Sequence, residues 1–221
     1  MMIHDELKSL VDQHRNEIEK ISDGDPESAD VLKNACELLL AWNVACPTFE
    51  PGGVDAIVAF SCGLGVNDRP GRINTGLASF IRTLREQGCR APILAQWEIA
   101  EALCEQGIPV QFRATRRNGY LSTSGVWEQF TECPELPKGG GVLLIAHPDH
   151  FLRCVRLIQK SQKGLKIVVP NREDVLQELR RNGCDKDGFD RDSVQDWTTS
   201  KPKFIRHEVS SRLFAFSKGE I

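Results

Sequence analysis

The sequence predicts an α/β protein, a Rossmann-like, doubly wound, mainly parallel five-stranded sheet with helices on both faces and an added N-terminal helical segment. Two observations predict it. Between residues 54 and 170, five short apolar runs alternate with helical segments of about a dozen residues, the pattern of a parallel sheet covered on both faces. The length of 221 residues suits one such domain with additions.

The first half of the sheet region contains two strand-and-helix units. The apolar run from Val54 to Ser61 predicts the first strand, and the helix from Gly71 to Gly88 ends at a glycine. The run from Ala91 to Ala95 predicts the second strand, and the helix that begins at Trp97 ends in the same way at Gly107.

The second half continues the alternation. Residues 108–113 predict a third strand, residues 124–130 a short helix, and residues 142–145 and 165–169 the fourth and fifth strands. A helix opening at Phe151 lies between the last two strands. Right-handed crossovers between these parallel strands give the doubly wound layout.

The flanks are predicted to be helical. Residues 1–50 form an N-terminal helical extension, because their apolar positions follow a 3.6-residue period and Pro47 and Pro51 close the segment. Residues 51–221 form the α/β domain, in which residues 171–221 are a C-terminal helical addition. That addition contains a helix over residues 172–182, a polar turn after Cys184 and a last helix near residues 207–216. A calcium loop at the turn is a weak alternative, since the bidentate glutamate of an EF-hand is missing.

Composition predicts a soluble cytoplasmic protein. The chain is 40% apolar and 27% charged, and its net charge of −3 gives no reason to expect nucleic acid or an anionic membrane as partner. It has neither an apolar run of ~18 residues nor a signal-peptide core. The eight cysteines are scattered without a Cys-x-x-Cys pair. We therefore expect reduced thiols, and no clustered metal ligands are visible.

The richest stretch for chemistry runs from Ile145 to Cys154. It places His147, Asp149, His150 and Arg153 at a strand-to-helix turn. In an open parallel sheet, ligands bind at that edge because the N-termini of helices converge there. His150 and Arg153 are one helical turn apart and can face one ligand. The alternative is that the two histidines only cap and pack the turn.

The loop after the first strand suggests an anion site. Gly63 and Gly65 allow close approach of a ligand to the backbone, and Arg69 and Arg72 can bind phosphate or carboxylate. Neither the Gly-x-Gly-x-x-Gly fingerprint nor a P-loop is present, and a flexible turn with solvated arginines is the alternative. Cys62 precedes these glycines, and a buried thiol is favoured there over a nucleophile.

Two further positions belong to the same predicted edge. Glu98 begins the helix after the second strand, where it can act as a general base, bind a hydroxyl or cation, or simply favour the start of the helix. Ser122 or Thr123 can cap the next helix. The nearby arginines can extend an anion-binding mouth or be solvated; they are Arg113, Arg116 and Arg117.

The order of these features resembles the YdcF-like family, which includes the SanA and ElyC proteins and is a domain family of unknown function. The resemblance spans residues 54–216. It rests on Asp55-Ala-Ile-Val with the glycine loop, Glu98-Ile-Ala, Gly107-Ile-Pro109, Ser122-Thr123, His150-Phe-Leu-Arg153 and the late Glu208. It implies a Rossmann-like fold and a polar cleft at the strand ends. Nucleotide-like ligands, including S-adenosylmethionine, are plausible for it.

The leading functional hypothesis is an enzyme that acts on a small anionic or nucleotide-like molecule. His150, Glu98 and His147 are the candidate catalytic residues. The candidate ligand-binding residues are Gly63, Gly65, Arg69, Arg72, Thr123 and Arg153. The rivals are a non-catalytic protein that binds or senses a metabolite in the same cleft, and a partner-binding protein that uses its N-terminal helices.

Overall fold

The computed structural model describes residues 53–116 and 121–221 without a break, and before them only residues 25–27, 30, 31, 34, 42, 46, 47 and 49. Of these early positions, residues 26, 27, 30, 31 and 34 are helical. The rest of the helical extension predicted over residues 1–50 lies outside the described residues.

The sheet has five strands, and all of them are parallel. They are β1 (Ala56–Ala59), β2 (Ile93–Gln96), β3 (Phe112–Ala114), β4 (Gly140–Ile145) and β5 (Leu165–Val168). Their order across the sheet is β3-β2-β1-β4-β5. This order confirms the predicted Rossmann-like fold and places β1 at the centre, where its four residues are fully buried.

Six α-helices alternate with the strands or follow them in the part of the chain from residue 53 onwards. They are α1 (Arg72–Glu86), α2 (Trp97–Glu105), α3 (Thr123–Thr131), α4 (Phe151–Ser161), α5 (Arg172–Arg181) and α6 (Lys201–Ser217). Helix α1 packs against α2 and α5, whereas α3 packs against α4. These two groups of helices cover the sheet, and the apolar side chains between them and the strands form the core.

Two predicted boundaries were wrong. The third strand begins at Phe112 rather than Ile108, because Gly107 has a φ of +73° and Pro109 has no N–H to donate to a ladder. The last helix begins at Lys201, well before residue 207, and Pro202 lies in its first turn, where a missing N–H costs nothing.

The chain also contacts the open edge of β5. The backbone N–H of Phe49 donates to the carbonyl of Val169, and the N–H of Val169 donates to the carbonyl of Pro47, at 2.8 and 3.1 Å. Pro47 and Phe49 are therefore joined by backbone hydrogen bonds to Val169, the residue that follows β5.

The direction of the crossovers reverses between β1 and β4. The chain leaves β1 towards β2 on one side, and leaves β4 towards β5 on the other. A crevice opens at the carboxyl ends of two strands where this happens, and ligands of doubly wound sheets bind there. Ser61 and Gly63 follow β1, and the turn from His147 to Arg153 follows β4, so both predicted segments border this crevice.

Two further findings concern membrane-spanning helices and thiols. Among the described residues, no helix combines the length and the apolarity that crossing a bilayer requires. The seven cysteines of the described part are all free thiols, and Cys36 lies outside that part.

Candidate functional site

A polar cleft lies at the crevice between β1 and β4. Every strand from β1 to β4 contributes to it through the segment that follows the strand, and α3 adds its first residue. The residues that line it are Ser61, Gly63, Gln96, Glu98, Arg116, Leu121, Thr123, His150, Arg153, Gln195 and Trp197. Five of the predicted site residues therefore share one cavity: Gly63, Glu98, Thr123, His150 and Arg153.

His150 is held between a carboxylate and a hydroxyl. Its Nδ1 lies 3.3 Å from Glu208 Oε2, and its Nε2 lies 3.5 Å from Thr123 Oγ1. Glu208 comes from α6 and its side chain is fully buried behind the imidazole. The histidine thus has one nitrogen towards the protein interior and the other towards the cleft.

Arg153 connects the same three groups. Its Nη2 and Nε donate to Glu208 Oε2 at 3.0 and 3.1 Å, and its Nη1 donates to Thr123 Oγ1 at 2.9 Å. Glu208 also accepts from Arg212 Nε at 3.0 Å within α6. One buried carboxylate is therefore bound by two guanidinium groups and faces one imidazole.

The charges around Glu208 determine which groups are ionised. Burial alone would raise the pKa of Glu208, but Arg153 and His150 outweigh it and hold that pKa well below its usual range. Burial and the neighbouring Arg153 lower the pKa of His150, and Glu208 offsets only part of this effect. At neutral pH the site therefore holds an ionised glutamate and a neutral histidine, which is the form of histidine that can accept a proton.

Glu98 supplies a second carboxyl group to the cleft. Its pKa is shifted in the opposite direction from that of Glu208. It is only 4% exposed, and its Oε2 atom has no hydrogen-bond partner among the described residues. Burial raises the pKa of Glu98, although hydrogen bonds and the charge of Arg116 act against it. A carboxyl group in this environment binds a proton more tightly than usual and can serve as a general acid.

The glycine loop is fixed in place by an asparagine. The amide of Asn74 in α1 donates to the Gly63 carbonyl at 2.7 Å, and its Oδ1 accepts the N–H of Cys62 at 2.9 Å. Gly63 has a φ of +84°, and a Cβ there would lie 2.8 Å from Thr198 Oγ1. Burial raises the pKa of the Cys62 thiol, so this sulfur is protonated and packed rather than poised as a nucleophile.

His147 does not face the cleft. It is fully buried beside Phe189 and Phe204, with ring centroids 4.5 and 5.5 Å away. Its Nδ1 accepts the backbone N–H of Asp149 at 3.2 Å, and burial lowers its pKa to about 4. In the structure His147 therefore caps and packs the turn, away from the cleft.

Arg69 and Arg72 lie near the glycine loop but outside the cleft lining. Arg69 is bound to Glu105 at 3.0 Å on the surface. Arg72 pairs with Asp190 and Asp192 and donates to the Gly183 carbonyl. Gly65 is also absent from the lining, and its N–H donates to the Arg69 carbonyl within the loop.

Sequence reasoning missed Trp197 and Gln195, which reach the cleft from the segment before α6. Arg116, one of the arginines expected near an anion-binding mouth, lines the cleft, lies 5.0 Å over the Trp97 ring and pairs with Asp68. Of the three arginines around residues 113–117, Arg113 instead pairs with Glu101, and Arg117 lies outside the described residues.

The predicted turn after Cys184 is held by protein groups. The Asp185 carboxylate accepts the backbone N–H groups of Asp187 and Phe189, each at 2.9 Å. Within the described ranges, no group of three or more His, Cys, Asp or Glu residues is arranged to hold a metal ion.

Comparisons with family models, with curated proteins and with solved structures found no match to this chain.

Proposed function

We propose that this chain is a cytoplasmic enzyme of the YdcF-like type that binds a small anionic or nucleotide-like molecule in the cleft between β1 and β4. His150 acts as the acid/base, and Arg153 and Arg116 bind the anionic part of the ligand. The observation that carries the proposal is the buried Glu208–His150 pair, which opens onto the cleft beside Thr123 and Arg153.

The buried pair favours catalysis over structural support. Burying an ion cluster costs desolvation energy, and the attraction between the buried charges barely offsets this cost. Such a cluster therefore contributes little to the stability of a fold. The same arrangement fixes the imidazole and leaves Nε2 facing the cleft. Carboxyl groups whose environments shift their pKa values in opposite directions, as with Glu98 and Glu208, are typical of acid/base sites.

The chemistry of the cleft favours an anionic ligand. Arginine side chains match the geometry of phosphate and carboxylate, and α3 begins at the cleft with Thr123 as its first residue. Nucleotides bind at the same position of doubly wound sheets. Nucleotide-like ligands such as S-adenosylmethionine therefore belong to the proposal. The net charge of −3 argues against nucleic acid as the partner.

The first experiment identifies the ligand. Mass spectrometry of denatured, freshly purified protein would show any small anion that co-purifies. Titration calorimetry with inorganic pyrophosphate then tests the cleft directly. Replacing Arg153 by alanine removes a charge-assisted bond and should weaken binding by about 1.5–3 kcal/mol, whereas Arg82→Ala, on the exposed side of α1, should not.

Turnover separates the enzyme from its rivals. Wild-type protein incubated with a mixture of nucleotides and phosphate esters should consume at least one of them, and His150→Asn should lose that activity. Binding without turnover would support the sensing protein instead. Unchanged pyrophosphate affinity in Arg153→Ala and Arg153→Lys, with intact circular dichroism spectra, would show that the anion site is elsewhere.

A further inference from the structure

The hydrogen bonds from Glu208 to Thr123 have one favoured direction. The ionised Glu208 carboxylate has acceptors but no proton to give, so the His150 Nδ1 that faces it at 3.3 Å carries the hydrogen. A neutral imidazole holds one proton. The Nε2 atom is therefore the bare, basic nitrogen, and it faces Thr123.

Arg153 determines the direction of the hydrogen bond at Thr123. A guanidinium group has donors only, so Thr123 Oγ1 accepts from Arg153 Nη1 at 2.9 Å. The hydroxyl proton of Thr123 is then free to point at His150 Nε2, 3.5 Å away. Arg153 Nη2 also lies 3.3 Å from His150 Nδ1, but it donates to Glu208 Oε2 at the shorter distance of 3.0 Å. An N–H at Nδ1 is favoured because the charged carboxylate attracts it.

The carboxylate, imidazole and hydroxyl lie in the order that activates a hydroxyl group. An acid orients a histidine, the histidine accepts the proton of a hydroxyl, and the hydroxyl oxygen becomes a nucleophile. Here a guanidinium group also contacts the hydroxyl oxygen and would stabilise the negative charge that develops on it. Thr123 is half-buried and lines the cleft, so a bound ligand can reach it.

We propose that Thr123 is the nucleophile of this site and accepts a phosphoryl group from an anionic phosphate ester or anhydride. This inference rests on the proposed function, because it uses the same cleft and the same histidine. The electrophile is phosphorus since Arg153 and the N-terminus of α3 surround the hydroxyl with groups that favour phosphate oxygens.

The reaction then has two balanced steps. Thr123 Oγ1 forms a bond to phosphorus, its proton passes to His150 Nε2, and the bond to the leaving oxygen breaks with its electron pair on that oxygen. The leaving oxygen takes the proton of the Glu98 carboxyl group. In the second step water gives one proton to Glu98 and bonds to phosphorus, the Oγ1–P bond breaks, and His150 returns its proton to Thr123.

Diisopropyl fluorophosphate is the first probe, because it labels an activated hydroxyl whether or not the natural substrate is known. The Oγ1–P bond forms, fluoride leaves and the hydroxyl proton goes to His150. Mass spectrometry of the digested full-length protein should find one adduct, on the peptide that contains Thr123. Thr123→Ala should lose it, and Thr123→Ser should form it at least as fast as wild type because serine lacks the methyl branch.

Two variants test whether the labelling is specific for the activated hydroxyl. His150→Gln should slow it by roughly 100-fold or more, since a general base contributes at least that much. Thr131→Ala, at the exposed end of the same helix, should label like wild type. An adduct that persists in Thr123→Ala would overturn the proposal, and so would the lack of an adduct in both wild type and Thr123→Ser.

The phosphoryl step is tested with p-nitrophenyl phosphate, whose leaving group needs no proton. Replacing Glu98 by glutamine therefore leaves the first step intact and slows the second, so an acid-stable phosphate ester at Thr123 should accumulate in Glu98→Gln. Lack of this ester in both Glu98→Gln and wild type would reject phosphoryl transfer. Pyrophosphate binding without labelling would reject the nucleophile and leave the proposed function standing, whereas labelling without pyrophosphate binding would reject the anion site.

Discussion

Two buried carboxyl groups at the cleft differ in what surrounds them. Glu208 lies against Arg153 and Arg212, and the positive charges keep it ionised. Among the described residues, the charge that acts on Glu98 is that of the half-exposed Arg116, and burial dominates the pKa of Glu98. The neighbours thus shift the pKa of the same residue type in opposite directions, as the proposed roles of the two groups require.

Glu98 should destabilise the folded protein at neutral pH. Its pKa is raised in the folded state, so the unfolded chain ionises first and stability falls as the pH rises through that range. We expect Glu98→Gln to raise the free energy of unfolding at pH 7 more than at pH 4. Urea titrations at both pH values measure this. Glu101→Gln, one turn along α2 and partly exposed, is the matched control.

His147 should make the fold sensitive to mild acid. Its pKa falls from 6.5 to about 4 on burial, so its contribution is present above pH 6.5 and is lost as the pH falls towards 4. Between pH 7 and pH 5 this loss amounts to about 2 kcal/mol. Asparagine can accept the same backbone N–H but does not titrate. His147→Asn should therefore lose less stability than wild type over this interval, and an equal loss would contradict the assignment.

At the level of the elements, two glycines with positive φ differ in the space around their Cα atoms. Gly63 and Gly107 both have positive φ, but a Cβ at Gly63 would meet Thr198 at 2.8 Å, whereas a Cβ at Gly107 would meet nothing within 4 Å. An L residue in this region costs about 1–2 kcal/mol. Gly107→Ala should lose about that amount of unfolding free energy, and Gly63→Ala should lose more and weaken pyrophosphate binding. Equal losses would mean that the Thr198 contact relaxes freely.

Helix α6 is attached to α4 by a charge cluster. Glu208 in α6 binds Arg153 in α4, and both side chains are largely removed from water. Breaking a buried pair costs about 3–5 kcal/mol, because it leaves a buried charge without its counterion. We expect Glu208→Gln to destabilise the protein by that amount in thermal or chemical unfolding. Glu86→Gln removes an exposed partner of Arg82 and should cost less than about 0.5 kcal/mol.

For the whole molecule, local sequence patterns were enough to predict the sheet and the edge at which the cleft lies. Apolar runs and glycine stops predicted five parallel strands, and the strand order then brought Gly63, Glu98 and His150 to one cleft. The site could not be completed in this way. Glu208 is 58 residues away from His150, and only the family resemblance pointed to it. The periodicity of apolar residues does not predict a contact between side chains so far apart in the sequence.

Three predicted side chains, those of Arg69, Arg72 and His147, lie outside the cleft lining. Arg69 and Arg72 were predicted at the anion site because they follow the first strand. Their guanidinium groups instead form ion pairs with Glu105 and Asp192. His147 and His150 belong to one short motif, yet a turn of 3-10 helix between them directs one towards the core and the other towards the cleft. Which way a side chain faces after a strand depends on packing that the pattern alone does not contain.

The N-terminal segment is connected to the site through Trp42. Its ring lies 4.2 Å from the guanidinium carbon of Arg212, and the fully buried Arg212 in turn donates to Glu208. A cation–π contact removed from water contributes about 2 kcal/mol, so Trp42→Leu should lower the free energy of unfolding by roughly that amount. Trp42→Phe should lose less, because phenylalanine keeps a weaker ring contact.

The same contact should affect chemistry at a distance. If Arg212 helps to hold Glu208 against His150, Trp42→Leu should slow the labelling of Thr123 by diisopropyl fluorophosphate and shift its pH profile, and Trp42→Phe should restore most of the rate. A purely structural contact would lower stability and leave the pH profile unchanged. That result would separate residues 1–50 from the reaction and leave them as a candidate surface for a partner.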